Sequence, residues 1–92
     1  MTEEFTQEIE IVNEKGLHAR ASAKFVEVVE DHDADAIVRK DGLEADGASI
    51  MGLLMLAASK GTHIEVETNG PEAAKLMQAL IELVAARFGE DV

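Results

Sequence analysis

The chain of 92 residues contains no cysteine, tryptophan or tyrosine, and it has one proline and three phenylalanines. Without cysteine it can form neither a disulfide nor a thiolate nucleophile, and cysteine-ligated zinc and iron–sulfur centres are excluded. Basic residues are also scarce, because eight lysines and arginines stand against 19 aspartates and glutamates, for a net charge of −11. Binding to nucleic-acid phosphates or to an anionic membrane needs a surplus of basic side chains, so we expect neither as a partner.

Long hydrophobic runs are missing as well. The longest uncharged run, residues 47–59, is shorter than the roughly 20 apolar residues that span a bilayer. The segment Met1–Phe5 is acidic and lacks the basic and apolar pattern of a secretory signal. At 47% hydrophobic residues, however, the chain is apolar enough to form a core. We therefore expect one domain over residues 1–92, located in the cytoplasm and without membrane insertion.

The apolar pattern predicts four strands and three helices. Ile64 and Val66, for example, alternate with polar neighbours, which indicates a strand with one buried face. In chain order the predicted elements are a strand over 5–12, a helix over 19–31, strands over 34–40 and 43–46, a helix over 49–58, a strand over 62–68, and a helix that starts at Pro71 and stops at Gly89. Because the alternation leaves one face of the sheet polar, an antiparallel or mixed open-faced sandwich is favoured over a doubly wound sheet.

His18 has the most informative surroundings of the three histidines. It lies between the Gly16 turn and the start of a helix, and Arg20 follows two residues later. A helix N-terminus with free N–H groups favours an anion, and a guanidinium can bind two phosphate oxygens. An imidazole at neutral pH can act as a nucleophile. The pattern suits a histidine that accepts a phosphoryl group, although His18 as a helix cap beside a solvated Arg20 is an equally simple interpretation.

The local charge around His18 supports the first interpretation. Lys15, Arg20 and Lys24 lie near it in sequence, and no acidic residue occurs between Lys15 and Val26. A phosphate would be attracted to such a basic island. The other two histidines, His32 and His63, are expected on the surface without a second ligand at metal-binding spacing, so no metal site is predicted. No acid–base pair or nucleotide-binding glycine loop accompanies His18, which argues against an autonomous enzyme and against a cofactor.

Two motifs in the chain resemble those of one protein family. Residues 16–26, GLHARASAKFV, are similar to the active-site signature of HPr, the histidine phosphocarrier of the bacterial phosphotransferase system. Residues 49–54, SIMGLL, resemble the second motif of the family, around its regulatory serine. The resemblance covers essentially the whole chain. It implies an α+β open-faced β-sandwich of order β-α-β-β-α-β-α, with a four-stranded antiparallel sheet and three helices on one face.

The resemblance also implies a function for the first motif. His18 would take a phosphoryl group on Nδ1 from Enzyme I, itself charged by phosphoenolpyruvate, and pass it to a IIA-type acceptor. Arg20 and the backbone amide of Ala19 would stabilise the phosphate. The protein would then be a stoichiometric carrier without a cofactor, expected to act as a monomer.

The second motif implies regulation. Ser49 matches the serine that an HPr kinase/phosphorylase modifies in many bacteria, and this kinase is a further expected partner. The residues expected on the surface that contacts partners are Ala23, Lys24, Ile50, Met51 and Leu54. Taken from the residues alone, Ser49 could simply cap the second helix, whose excess of apolar side chains could either form an exposed patch or pack beneath a loop. The alternative function is a regulatory binding module that acts mainly through Ser49 and this patch, in a nitrogen-related rather than a sugar-transport branch.

One residue departs from the family pattern. HPr proteins of sugar transport usually carry proline directly after the arginine, whereas this chain has Ala21. The residues that follow resemble the HPr proteins of nitrogen-related phosphotransferase systems, sometimes called NPr. Alanine is well tolerated in the first turn of a helix, so phosphoryl transfer is expected to persist, and the branch of the acceptor stays open.

Overall fold

The computed structural model describes residues 3–92, so the first two residues of the acidic segment Met1–Phe5 lie outside the described residues. It contains the predicted strands and helices in the predicted order. They are β1 (Glu3–Glu10), α1 (Ala19–Glu30), β2 (Asp35–Lys40), β3 (Leu43–Asp46), α2 (Ile50–Met55), β4 (His63–Gly70), α3 (Ala73–Ala85) and a final 3₁₀ turn (Arg87–Gly89).

The four strands form one antiparallel sheet in the order β1-β4-β2-β3. Ile64 and Val66 of β4 are fully buried, while His63 and Glu65 are exposed on the opposite face. The helices therefore cover one face and leave the other to solvent, which confirms the expected α+β open-faced sandwich. Among residues 3–92, no helix is long and apolar enough to cross a membrane.

The core lies between the sheet and the helices. Its largest fully buried side chains come from every layer of the sandwich, namely Phe25, Phe88, Ile11, Leu53, Ile64, Leu76 and Leu80. The sequence predicted α3 as the main cover of the core, and five of its residues are buried against the rest of the protein. Packing of α3 on β1 and β4 fixes the position of the C-terminal end of the chain.

The predicted end of α2 was wrong. The helix stops at Met55, because Ala57 adopts the left-handed conformation with φ 51° instead of continuing to Ala58. This turn presents the Ala58 carbonyl to the N–H of Leu17, which donates a hydrogen bond to it at 2.8 Å. The early end of the helix therefore leaves a backbone carbonyl that supports the loop before His18.

Both ends of α3 also differ from the prediction. Pro71 precedes the helix instead of occupying its first position, because β4 continues to Gly70 and α3 begins at Ala73. At the other end the helix stops at Ala85, and Phe88 reaches the core from the 3₁₀ turn with φ 55°. The apolar spacing correctly predicted that Phe88 is buried, but it predicted a continuous helix where the structure has a separate 3₁₀ turn.

Candidate functional site

His18 is the N-cap residue of α1. Its carbonyl accepts the first intrahelical hydrogen bond, from Ser22 at 2.8 Å, but its side chain makes no capping hydrogen bond. His18 therefore occupies the cap position without capping the helix through its ring. The amides of Ala19 and Arg20 belong to the first turn, where an α-helix has no acceptor of its own to offer them. No acidic residue occupies that turn.

A loop with a tight turn brings the His18 backbone to this position. Gly16 has φ 66°, a conformation that side chains other than hydrogen rarely allow, and it lies against the Ala58 carbonyl. Leu17 is buried, and the Ser22 hydroxyl donates a hydrogen bond to its carbonyl at 3.2 Å. The Gly16–His18 loop is thus held from two sides, by the segment after α2 and by α1 itself.

The ring of His18 contacts a residue from the opposite end of the chain. Its Nε2 is hydrogen-bonded to Oε2 of Glu90, just after the 3₁₀ turn. The second carboxylate oxygen of Glu90 accepts a hydrogen bond from Nδ2 of Asn13 at 3.0 Å. These two hydrogen bonds, with that from His18 the stronger influence, hold the pKa of Glu90 below its usual range. Glu90 is therefore ionised at neutral pH.

The pocket beside His18 contains all three residues of the predicted basic island. Its lining residues are Lys15, His18, Ala19, Arg20, Lys24, Gly89, Glu90, Asp91 and Val92. The sequence window from Lys15 to Val26 has no acid, but the fold adds the carboxylates of Glu90 and Asp91 to the same pocket. The C-terminal segment therefore offsets part of the positive charge of the basic island, which the sequence window alone does not show.

The predicted basic residues of the pocket differ in availability. Arg20 is exposed, and within residues 3–92 its guanidinium forms no hydrogen bond or ion pair. Lys24 is half-buried, and its Nζ donates a hydrogen bond to the Phe88 carbonyl at 2.6 Å. Ala23 beside it is also half-buried. Arg20 can meet an incoming phosphate directly, whereas Lys24 also anchors the C-terminal turn.

Ser49 is the N-cap of α2. Its hydroxyl oxygen accepts a hydrogen bond from the N–H of Gly52 at 3.0 Å, so the predicted capping contact is present. Two of the apolar residues that follow are exposed, Ile50 and Met51, the second with 69% of its surface accessible. Leu54 is only partly exposed. The second helix thus leaves an apolar patch beside Ser49 instead of packing all its side chains beneath a loop.

Sequence reasoning missed three residues at these sites. Asn13 and Glu90 contact each other and, through Glu90, the ring of His18. Met55 is 72% exposed and extends the apolar patch. The sequence offered one indication of Glu90, an acidic residue directly after Gly89, where the last helix was predicted to stop. This indication is weak in a chain with 19 acidic residues.

Another open pocket lies on the outer face of the sheet, around Arg39. Three carboxylates already bind its guanidinium at 2.8–3.2 Å, from Glu44, Glu65 and Glu67. Lys40, which also lines this pocket, is paired with Asp41. Because both cations are neutralised, the pocket is a poor candidate for an anion site. The His18 pocket, with a free guanidinium and free helix amides, is the better candidate.

Comparison with known proteins gives the family of the chain. The family model described as "PTS HPr component phosphorylation site" matches residues 5–86. The chain belongs to the HPr family. It is 50% identical over 84 residues to phosphocarrier protein HPr of Neisseria meningitidis, covering 91% of this chain and 94% of that protein. It is 42% identical over 86 residues to phosphocarrier protein NPr of Escherichia coli, covering 92% and 96%.

The fold agrees with this family. The crystal structure of HPr from Thermoanaerobacter tengcongensis superposes with a TM-score of 0.87 at 34% identity, covering 98% of this chain and 99% of that one. As a member of the HPr family, the chain is a phosphocarrier of the phosphotransferase system. Relatives named HPr and NPr both match it well, so the two branches are not separated by similarity.

Proposed function

We propose that His18 is the phosphorylated residue, that Enzyme I supplies the phosphoryl group, and that a IIA-type protein accepts it. The position of His18 carries the proposal: a partly exposed imidazole sits at the N-terminus of α1, beside the free guanidinium of Arg20 and the amide of Ala19. Helix amides and one arginine stabilise a phosphate without enclosing it. A site that bound the phosphate much more tightly would hinder its onward transfer.

Incubation with phosphoenolpyruvate and Enzyme I of the same bacterium tests the donor and the residue together. The protein should acquire one acid-labile, base-stable phosphoryl group. His18→Ala should acquire none, while His63→Ala, which removes an exposed histidine from the outer face of the sheet, should be labelled like the unchanged protein. Equal labelling of His18→Ala would refute the assignment.

Arg20 is proposed to bind the phosphoryl group and not to support the fold. Its side chain is exposed and free of ion pairs within the described residues, so Arg20→Ala should change stability by no more than about 0.5 kcal/mol. The rate of phosphoryl transfer should fall clearly. Chemical denaturation and rapid-quench labelling of the same variant measure the two effects. A large loss of stability with unchanged transfer would contradict the role.

Regulation at Ser49 is a second proposal, supported by the apolar patch beside it. A phosphate on Ser49 would add about two negative charges next to Ile50 and Met51, and the Asp46 carboxylate is already nearby. Repulsion at this patch, and not unfolding of α2, would weaken contact with a partner. An HPr kinase/phosphorylase is the expected modifying enzyme.

The alternative function, a binding module that acts mainly through Ser49, shares the same surface. Ser49→Asp should weaken binding to Enzyme I or to a IIA-type protein, whereas Ser59→Asp places the same charge on an exposed serine elsewhere. If a partner depends on Ser49 but not on His18, the alternative is favoured. If Ser49→Asp and Ser59→Asp bind every partner equally, the regulatory role is wrong. We propose a cytoplasmic monomer in either case, and the proportion of monomer can be measured by sedimentation.

A further inference from the structure

The C-terminal segment brings a carboxylate to His18 across 72 positions of sequence. Glu90 is only 15% exposed, and the side chain of His18 is 27% exposed. One oxygen of Glu90 contacts Nε2 of the ring, and no hydrogen bond to Nδ1 occurs within residues 3–92. The two ring nitrogens therefore have different surroundings.

The chemistry of the carboxylate decides which nitrogen carries the proton. The pKa of Glu90 is lowered, so its side chain is ionised at neutral pH and can only accept hydrogen bonds. Nε2 must then be the donor. In the neutral imidazole only one nitrogen carries a proton, so Nδ1 has a free lone pair.

Asn13 fixes the orientation of this carboxylate. Its Nδ2 donates to the Gly16 carbonyl at 2.8 Å and to Glu90 Oε1 at 3.0 Å, so the amide is tied both to the loop before His18 and to the C-terminal segment. Rotation of the amide by 180° would place its oxygen against two acceptors. The buried Oδ1 has no partner within the described residues, so the two contacts of Nδ2 are the hydrogen bonds that hold this side chain.

We propose that Glu90 is a positioning residue for phosphoryl transfer: it holds the proton of His18 on Nε2 and thereby makes Nδ1 the atom that accepts and releases the phosphoryl group. The proposal rests on the proposed role of His18. When the group arrives from a phosphohistidine of the donor, the Nδ1 lone pair forms the new N–P bond. The electron pair of the broken N–P bond stays with the donor ring.

Nε2 keeps its proton in both directions of transfer. After phosphorylation the ring of His18 is an imidazolium, and the Glu90 carboxylate stabilises its positive charge at Nε2. On release, the N–P electron pair returns to Nδ1 and a neutral ring with a proton on Nε2 is restored. Loss of the Nε2 proton from the phosphorylated ring would make Nδ1 a poorer leaving group, so the contact with Glu90 favours release of the phosphoryl group.

Other charged groups face the same ring and must be separated from Glu90. Lys15, Arg20 and Lys24 contribute positive charge from the loop and from α1, and Asp91 contributes a second carboxylate from the C-terminal segment. The Asp91 side chain makes no hydrogen bond or ion pair within residues 3–92. Asp91→Asn therefore removes the same charge from the pocket as Glu90→Gln but leaves the contact to Nε2 intact.

Two measurements on the unchanged protein, Glu90→Gln and Asp91→Asn test the proposal. The ¹⁵N chemical shifts of the His18 ring give its tautomer without any phosphoryl transfer. We expect a dominant proton on Nε2 in the unchanged protein and in Asp91→Asn, and a mixture of tautomers in Glu90→Gln. The second measurement is the rate of transfer from the phosphorylated protein to a IIA-type acceptor. The rate for Glu90→Gln should be about three- to tenfold lower than the rates for the other two proteins.

Glu90→Ala, which offers no acceptor at all, should show the same changes at least as strongly. The proposal is overturned if all the variants share one tautomer and one rate of transfer. It is also overturned if Asp91→Asn reproduces the effect of Glu90→Gln, because charge alone would then explain it. Failure of the unchanged protein to be phosphorylated would instead refute the proposed function, and the tautomer measurement would still decide the role of Glu90.

Discussion

Replacing Gly16 with alanine would introduce a methyl group where the loop before His18 passes the segment after α2. A Cβ at this position would lie 2.4 Å from the Ala58 carbonyl oxygen and 2.9 Å from Cα of Ser59. Both are backbone atoms, so neither can rotate away. The same carbonyl accepts the hydrogen bond from Leu17, and any shift that relieves the contact therefore weakens this bond.

Two separate costs should lower the free energy of unfolding of Gly16→Ala. The left-handed backbone, with φ 66°, costs alanine about 1 kcal/mol. Crowding against fixed backbone costs about 1–3 kcal/mol more. The sum of about 2–4 kcal/mol corresponds to a decrease in Tm of roughly 10–30 °C for a domain of this size.

Gly61→Ala is the matched control. Gly61 also has a positive φ, 87°, but no atom lies within 4 Å of a Cβ built there. It should lose only the backbone cost, about 1 kcal/mol. Urea denaturation of the two variants, followed by circular dichroism, measures the difference. Equal losses would refute the reasoning that the close approach to Ala58 holds the His18 loop in place.

Three further predictions concern other contacts. Ser49→Ala removes the cap on Gly52 N–H and should lower the free energy of unfolding by about 1 kcal/mol in urea denaturation; an unchanged value would show that water replaces the cap fully. Phe88→Ala empties a fully buried site and should cost about 3–5 kcal/mol by the same measurement, and a loss below 1 kcal/mol would contradict its place in the core. The lowered pKa of Glu90 stabilises the fold above about pH 4.5, and this stabilisation is lost as the pH falls through the pKa of the folded state. Glu90→Gln should therefore be less stable than the unchanged protein at pH 7 but not at pH 2, as measured by urea denaturation. A difference that stays constant between these pH values would refute this linkage.

The elements that are amphipathic could be predicted from the sequence. In β4, the alternation of Ile64 and Val66 with polar residues fixed both the strand and its buried face. His18 could be predicted as a site because its glycine turn, helix start and arginine are neighbours in sequence. Local patterns of this kind carry enough information when the contacts that matter are local as well.

The parts that could not be predicted depend on contacts between distant residues. The end of α2 is set by the left-handed Ala57, which serves the hydrogen bond between Leu17 and the Ala58 carbonyl, and no local propensity favours alanine there. Glu90 joins the site only because α3 packs on the sheet and the following turn redirects the chain toward His18. Its sequence context is that of an ordinary acidic tail.

The contact between Glu90 and His18 links the surroundings of the ring to the stability of the short segment that follows α3. The 3₁₀ turn is fastened by Phe88 in the core and by the hydrogen bond from Lys24 to the Phe88 carbonyl, whereas Asp91 and Val92 beyond Glu90 are exposed. A segment with few buried side chains opens at a lower free energy than the whole domain. A protein that binds residues 90–92 and displaces Glu90 would therefore change the surroundings of the His18 ring without unfolding the sandwich or contacting the histidine itself.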